Sequence, residues 1–159
     1  MSSIWAAFYQ EFSDVGDLTE ATVIVIRLTM AALLGAFIGY DRERRGKEAG
    51  LRTHMMVSLG AALFILVPLM GGMEIADSSR VLQGIITGIG FLGAGAILKQ
   101  DKSTSIKGLT TASSIWVAAA IGIAAGMGRE ATAIMGTLAA LFILVVVRRL
   151  ERHIVPDTD

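Results

Sequence analysis

Five stretches of the chain, 21–40, 53–73, 81–98, 108–128 and 131–147, are apolar almost without interruption, and Asp, Glu, Lys and Arg crowd into the segments between them. Of the 14 basic and 14 acidic residues, only Arg27 falls inside one of the five. A helix at the surface of a soluble domain needs a polar face, whereas a bilayer span of about 20 residues must do without one. The pattern therefore predicts an all-α polytopic membrane protein with five transmembrane helices. Spanning strands would require a closed barrel and alternating polarity, which these runs lack. The last run is short, and Arg148 and Arg149 beside it can snorkel to the interface and lengthen it. The predicted organisation is an N-terminal segment 1–17, a transmembrane domain 18–150 and a tail 151–159.

The basic residues set the orientation. Eleven Lys and Arg lie in the 41–52 loop, the 99–107 loop and the C-terminal segment, against two in the segments of the opposite side. The positive-inside rule puts the N-terminus outside and the C-terminus in the cytoplasm. In the first segment Trp5, Phe8, Tyr9 and Phe12 share one helical face, which predicts a short helix lying in the outer interface. The first 20 residues contain no Lys or Arg, and Glu11 and Asp14 interrupt the apolar run, so a cleavable signal peptide is not expected.

Eighteen glycines are more than loops require. Gly35/Gly39, Gly84/Gly88 and Gly122/Gly126 are Gly-x-x-x-Gly pairs, and Gly90, Gly93 and Gly95 add to the third span. Such residues let helix backbones approach closely, so spans one, three and four are expected to pack tightly, within one subunit or between two. Pro68 is expected to kink span two. The chain also matches itself at an offset of 58 residues, with ten identities over 37 positions, strongest in Gly-Leu-x-Thr at 50–53 and 108–111. Residues 21–73 and 81–128 would then form two like-oriented hairpins, with a site between the two Gly-Leu-x-Thr helix starts on the cytoplasmic side.

Composition removes several functions. The formal charge is +0, which gives no basic excess for nucleic acid, and the absence of cysteine excludes disulfides and thiolate chemistry. Mean hydropathy of +0.64 fits the membrane assignment.

Two constellations are candidate sites. An intramembrane charge costs at least a few kcal/mol and needs a partner, so Arg27 is expected to join Asp77 and Gln83, with Arg80 nearby, in an outer cluster. On the cytoplasmic side, Asp41 and Glu43 are expected to oppose Arg52 across the loop. Thr53, His54, Thr110 and Thr111 open the following helices. No cofactor is expected, Mg2+ being the one ion that carboxylates and waters at this face would suit. His54 and Ser58 share a helical face, but no Gly-x-Ser-x-Gly elbow accompanies them, so the chain is not expected to be an enzyme.

The string Leu-Leu-Gly-Ala-Phe-Ile-Gly-Tyr-Asp-Arg-Glu-Arg-Arg-Gly-Lys-Glu-Ala-Gly-Leu-Arg-Thr-His at 33–54, Gly-Ile-Gly-Phe-Leu-Gly-Ala-Gly-Ala-Ile-Leu at 88–98 and Gly-Leu-Thr-Thr-Ala-Ser-Ser-Ile-Trp-Val-Ala-Ala-Ala-Ile-Gly at 108–122 resemble the MgtC/SapB family in spans one to four. This chain has Asp41 where the family often has Glu, and Asp77-Ser78-Ser79-Arg80 where it usually has Asp-Pro before the Arg. The resemblance implies a multi-pass protein of the bacterial inner membrane linked to growth at low Mg2+, stress response, virulence and restraint of the F-type ATP synthase. Family members with the virulence role commonly carry a C-terminal ACT-like domain, and a short form without it is expected here. The resulting reading is a homo-oligomeric (dimeric) regulator acting through membrane-protein partners. The alternative is a small-ion transporter for Mg2+, H+ or an anion.

Overall fold

The computed structural model describes residues 2–98 and 107–150, and all of the secondary structure in them is helical. Lys99, Asp101, Lys102, Arg152 and the tail 151–159, which entered the charge count, the repeat and the domain organisation, lie outside the described residues. The order is α1 (Ser2–Glu11), α2 (Leu18–Arg44), α3 (Leu51–Met70), a 3-10 turn (Ile75–Ser78), α4 (Ser79–Leu98), α5 (Leu109–Gly126) and α6 (Glu130–Phe142). A π-helical segment, Ile143–Val147, carries α6 onward, so the fifth span runs Glu130–Leu150. Five helices are long and apolar enough to cross a membrane, one for each apolar run.

Local chemistry sets the boundaries. Asp17 caps α2 by accepting from Glu20 N–H at 2.8 Å, and Glu20 accepts from Gly16 N–H at 2.8 Å. Such pairs satisfy amide donors that a helix start leaves open. At its other end α2 runs past the apolar stretch to Arg44 and stops in a Schellman motif. Gly46 takes φ +62, its N–H donates to Glu43 O, and Lys47 N–H donates to Arg42 O. Asp41 and Arg42 are therefore helical residues rather than loop. Pro68 sits in the last turn of α3, two residues before its end, and having no N–H it leaves the Phe64 carbonyl without the donor a helix would supply there.

α3 and α5 cross at the centre of the bundle. α2 packs against both, α6 closes against α2 and α5, and α4 lies mainly on α5. Half of the α5 span is buried, against 6% of the α4 span. Glycine makes the central contacts possible. A Cβ on Gly35 would sit 2.6 Å from the His54 carbonyl oxygen, one on Gly39 2.7 Å from Leu51 Cα, and one on Gly126 2.6 Å from the Ala62 carbonyl oxygen. Gly122 lies directly against the Ser58 backbone. Lipid tails are as apolar as Leu, so this proximity and the dispersion it brings hold the helices together.

The two hairpins repeat each other in contacts as well as in sequence. Gly35 faces His54, and Gly93 faces Ala112 with a Cβ separation of 3.7 Å, both partners displaced by the 58 residues of the sequence match. Gly39 lies against Leu51, and Ile97 correspondingly lies against Gly108. Of the third-span glycines, however, Gly84, Gly88, Gly90 and Gly95 meet nothing within 4 Å. The expected close packing of spans one, three and four thus holds within the subunit for Gly35, Gly39, Gly122 and Gly126, but not for Gly84 or Gly88. Trp5, Phe8 and Tyr9 of α1 and Phe12 just past its end are exposed, with Phe8 and Phe12 ring centroids 4.9 Å apart.

Gly122→Ala should cost about 1–3 kcal/mol, because the added methyl meets backbone that cannot yield. Gly95→Ala, in open space within a helix, should be neutral or gain up to about 1 kcal/mol. Thermal unfolding of the two variants in detergent checks the contrast; equal melting temperatures would contradict the packing described.

Candidate functional site

At the outer end, Arg27 does not pair with Asp77. Its Nη1 donates to the Gly126 carbonyl at 3.2 Å. That oxygen belongs to the last turn of α5, which ends in a second Schellman motif: Gly128 N–H donates to Ala125 O and Arg129 N–H to Ala124 O. The motif leaves the Gly126 oxygen open at the negative end of the helix dipole, where a cation is favoured. Gly128, at φ +72, also makes room for the guanidinium, since a Cβ there would lie 2.5 Å from Nη2. Asp77 and Arg80 are exposed in the 3-10 turn and the start of α4, and Gln83 is exposed on α4. Among the described residues no salt bridge reaches Arg27. The acids that do share its surroundings, an outer cavity of about 390 Å³, are Asp17 and Glu20 from the start of its own helix. The expected outer cluster is corrected accordingly: a helix end, not an acidic side chain, receives the embedded charge.

At the cytoplasmic end, Asp41 pairs with Arg45 one turn later on α2, Nη2 to Oδ1 at 2.7 Å and Nε to both carboxylate oxygens at 2.8 and 2.9 Å. That hydrogen-bonded carboxylate raises the Arg45 pKa further above its ordinary value. Glu43 reaches the start of α3 instead, where Oε2 accepts from Leu51 N–H at 2.6 Å. Gly50, the residue before that helix, has no side chain to cap it, and a Cβ there would lie 2.7 Å from the Glu43 oxygen. Arg52 and Thr53 are exposed, and no described ion pair joins Arg52 to Asp41 or Glu43, so the expected network across the loop is replaced by an intrahelical pair and a helix cap.

His54 is fully buried and links the two hairpins. Nδ1 donates to Gly50 O at 2.8 Å, and Nε2 lies 3.0 Å from Ser114 Oγ on α5. Ser114 Oγ also donates to Thr111 O at 2.8 Å. Ser58 Oγ, a turn away, is buried without a hydrogen-bond partner. The two Gly-Leu-x-Thr helix starts thus do face each other, joined through His54 and Ser114. Thr111 is buried and Thr110 exposed beside this contact.

Arg42 is the residue that sequence reasoning undervalued, counting it among the loop's basic side chains. It is 2% exposed, its Nη1 is 4.0 Å from Asp41 Oδ2, and its Nε has no partner. The available signal was phase: Arg42 falls three and four residues after Gly39 and Ile38, on the buried side of α2. Among the described residues no group of three or more His, Asp or Glu is placed to hold a metal ion.

The structure defines a five-span helical membrane protein with an internal hairpin repeat and a polar junction at the basic end. A family profile for the MgtC family matches residues 28–153, and the chain belongs to that family. It is 42% identical over 133 residues to YhiD of Escherichia coli strain K12, provisionally named a magnesium transporter, covering 79% of this chain and 61% of the relative. It is 41% identical over 137 residues to SrpB of Synechococcus elongatus, covering 79% of this chain and 75% of that protein. To MgtC of Salmonella typhimurium it is 37% identical over 130 residues, covering 82% of this chain and 54% of that protein. The chain thus spans less than two thirds of YhiD and of MgtC. No solved structure matches. Family membership and five apolar helices make it a multi-pass protein of the bacterial inner membrane.

His54→Ala and Ser114→Ala should each lower the melting temperature, and a double-mutant cycle should return a coupling of about 0.5–1.5 kcal/mol for the pair; zero coupling would show that the hairpins are not joined there. Arg27→Gln should cost about 1–2 kcal/mol by withdrawing the charge from the α5 end. Asp77→Asn should leave the melting temperature unchanged, and a loss matching that of Arg27→Gln would restore the acidic partner.

Proposed function

We propose that this protein is a non-catalytic regulator of the inner membrane, serving magnesium homeostasis and stress adaptation, virulence included, by packing against another membrane protein. ATP synthase or an ion-transport system is the class of partner this reading calls for. The observation that carries it is the open face between α3 and α4. Met56, Gly60, Phe64, Gly84, Gly88 and Leu92 line an apolar groove of about 620 Å³ there, and its three glycines meet nothing in their own subunit. A small-residue groove at membrane depth admits the backbone of another helix. The name of YhiD favours magnesium as the physiological context.

A second reading, transport of a small ion, is favoured by the two cavities that open at opposite ends of the bundle, one beside Arg27 and one beside Arg42. Between them α2, α3 and α5 are in backbone contact at Gly35, Gly122 and Gly126, so a path would require the central helices to separate. Mg2+ would then be cargo.

The discriminating experiment pairs growth with flux. In a bacterium lacking its own copy, Gly84→Leu and Gly88→Leu should accumulate to normal levels yet fail to restore growth at low Mg2+. Proteoliposomes of the unaltered chain should pass no Mg2+. Full rescue by both variants would sink the docking reading, and flux that depends on the chain would install transport in its place. Cross-linking through the groove distinguishes a second copy of this chain, forming a homodimer, from a different protein.

A further inference from the structure

The polar junction contains a cavity of about 460 Å³, and the charged residues among the described ones that line it are all basic. Arg42, Lys47 and Arg148 line it together with Thr110, Thr111 and Leu144, and among the described residues no carboxylate does. Arg42 is 98% buried and Arg148 Nη1 is buried, yet Arg42 Nε and Arg148 Nη1 lack any hydrogen-bond partner. Among the described residues the acid paired with Arg42, Asp41, stands 4.0 Å away and is already held by Arg45 at 2.7 Å. Burying guanidinium groups beside one another is costly unless an anion joins them.

The first turn of α5 opens into the same cavity. Gly108 precedes it in a left-handed conformation, with no side-chain cap and no acidic residue in the first turn, so amide donors and the positive end of an 18-residue helix face the three cations. The repeat shows what such a start accepts. At the equivalent start of α3, also preceded by an uncapped glycine, the Glu43 carboxylate occupies the position at 2.6 Å from Leu51 N–H. The π-helical segment Ile143–Val147 adds a residue to the helical turn just before Arg148. Such π turns recur at functional sites.

We propose that this cavity binds a phosphate-type anion, held between Arg42, Arg148 and Lys47 and the amide groups that open α5. The site lies at the level of the cytoplasmic interface, where the phosphate of an anionic lipid headgroup and free inorganic phosphate offer the same chemistry. Planar guanidinium groups grip two phosphate oxygens at once, and Lys47, exposed at the mouth, contributes a point charge. The inference does not depend on the partner-docking reading, because the cavity and the α3–α4 groove share no lining residue.

The test uses the purified full chain. In detergent, inorganic phosphate should raise the melting temperature above that in chloride of equal ionic strength. In nanodiscs, phosphatidylethanolamine with phosphatidylglycerol is compared with phosphatidylethanolamine alone. Lys47→Gln and Arg148→Gln should each weaken the stabilising anion about tenfold, the loss of one charge-assisted contact, while Arg44→Gln, exposed on the same face but outside the cavity, should not. Arg42→Gln is less informative because that side chain is built into the core. Stabilisation by phosphate assigns the site to the free anion, and stabilisation by phosphatidylglycerol alone assigns it to a headgroup. If neither anion stabilises the chain, or Arg44→Gln weakens binding as much as the cavity variants do, the site does not exist.

Discussion

Helices in a bilayer gain nothing by hiding apolar surface from one another, because the surrounding tails already provide an apolar solvent. Their cohesion comes from how near two backbones can lie and from the few polar groups that must find each other. Here α2, α3 and α5 meet through Gly35, Gly39, Gly122 and Gly126, each placed where a methyl group would strike main chain of the facing helix. The rest of the molecule is arranged around that contact. The His54–Ser114 link forms across it, Arg27 reaches the end of α5 beside it, and α6 covers its remaining side. α4 stands partly apart, and Gly84, Gly88, Gly90 and Gly95 meet nothing in their own subunit.

Internal duplication has left two similar hairpins with dissimilar ends. Both begin their second helix with glycine and leucine, and both set that start against the preceding helix. In the first, a carboxylate from the same hairpin neutralises the helix start; in the second, the charged side chains lining the cavity there among the described residues are cations contributed by α2, its following loop and the end of the last span. Duplicated units in membrane proteins commonly build their sites at the interface between the repeats. The pairing of His54 with Ala112 shows the same thing: one copy carries a buried polar link, the other a methyl group at the corresponding place.

Nearly all of the architecture was legible in the amino-acid order. Exclusion of charge from hydrocarbon is strong enough that five spans and their sequence limits to within a few residues follow from counting. The partners of single polar groups were far less so. Arg27 was matched to Asp77 because side chains announce themselves in a sequence, whereas the carbonyl of Gly126 looks like every other carbonyl until the helix is seen to end there. Glu43 was given to Arg52 for the same reason, although what it meets is an amide. Arg42 was grouped with loop cations because α2 was ended at the last apolar residue; carried one more turn, the helix turns that side chain inward. Residues that pair with backbone escape rules written for pairs of side chains.

Arg27 and Gly126 are 99 positions apart in the chain. Ribosomes add about 5–20 residues per second, so some 5–20 s separate the appearance of that guanidinium from the appearance of its acceptor. During this interval the first span holds a charge whose acceptor in the folded bundle, the Gly126 carbonyl, has not yet been made. Biogenesis must therefore shelter α2 at the insertion machinery or let water follow it inward, and the closing of that one bond marks the moment when the nascent bundle becomes self-sufficient in lipid.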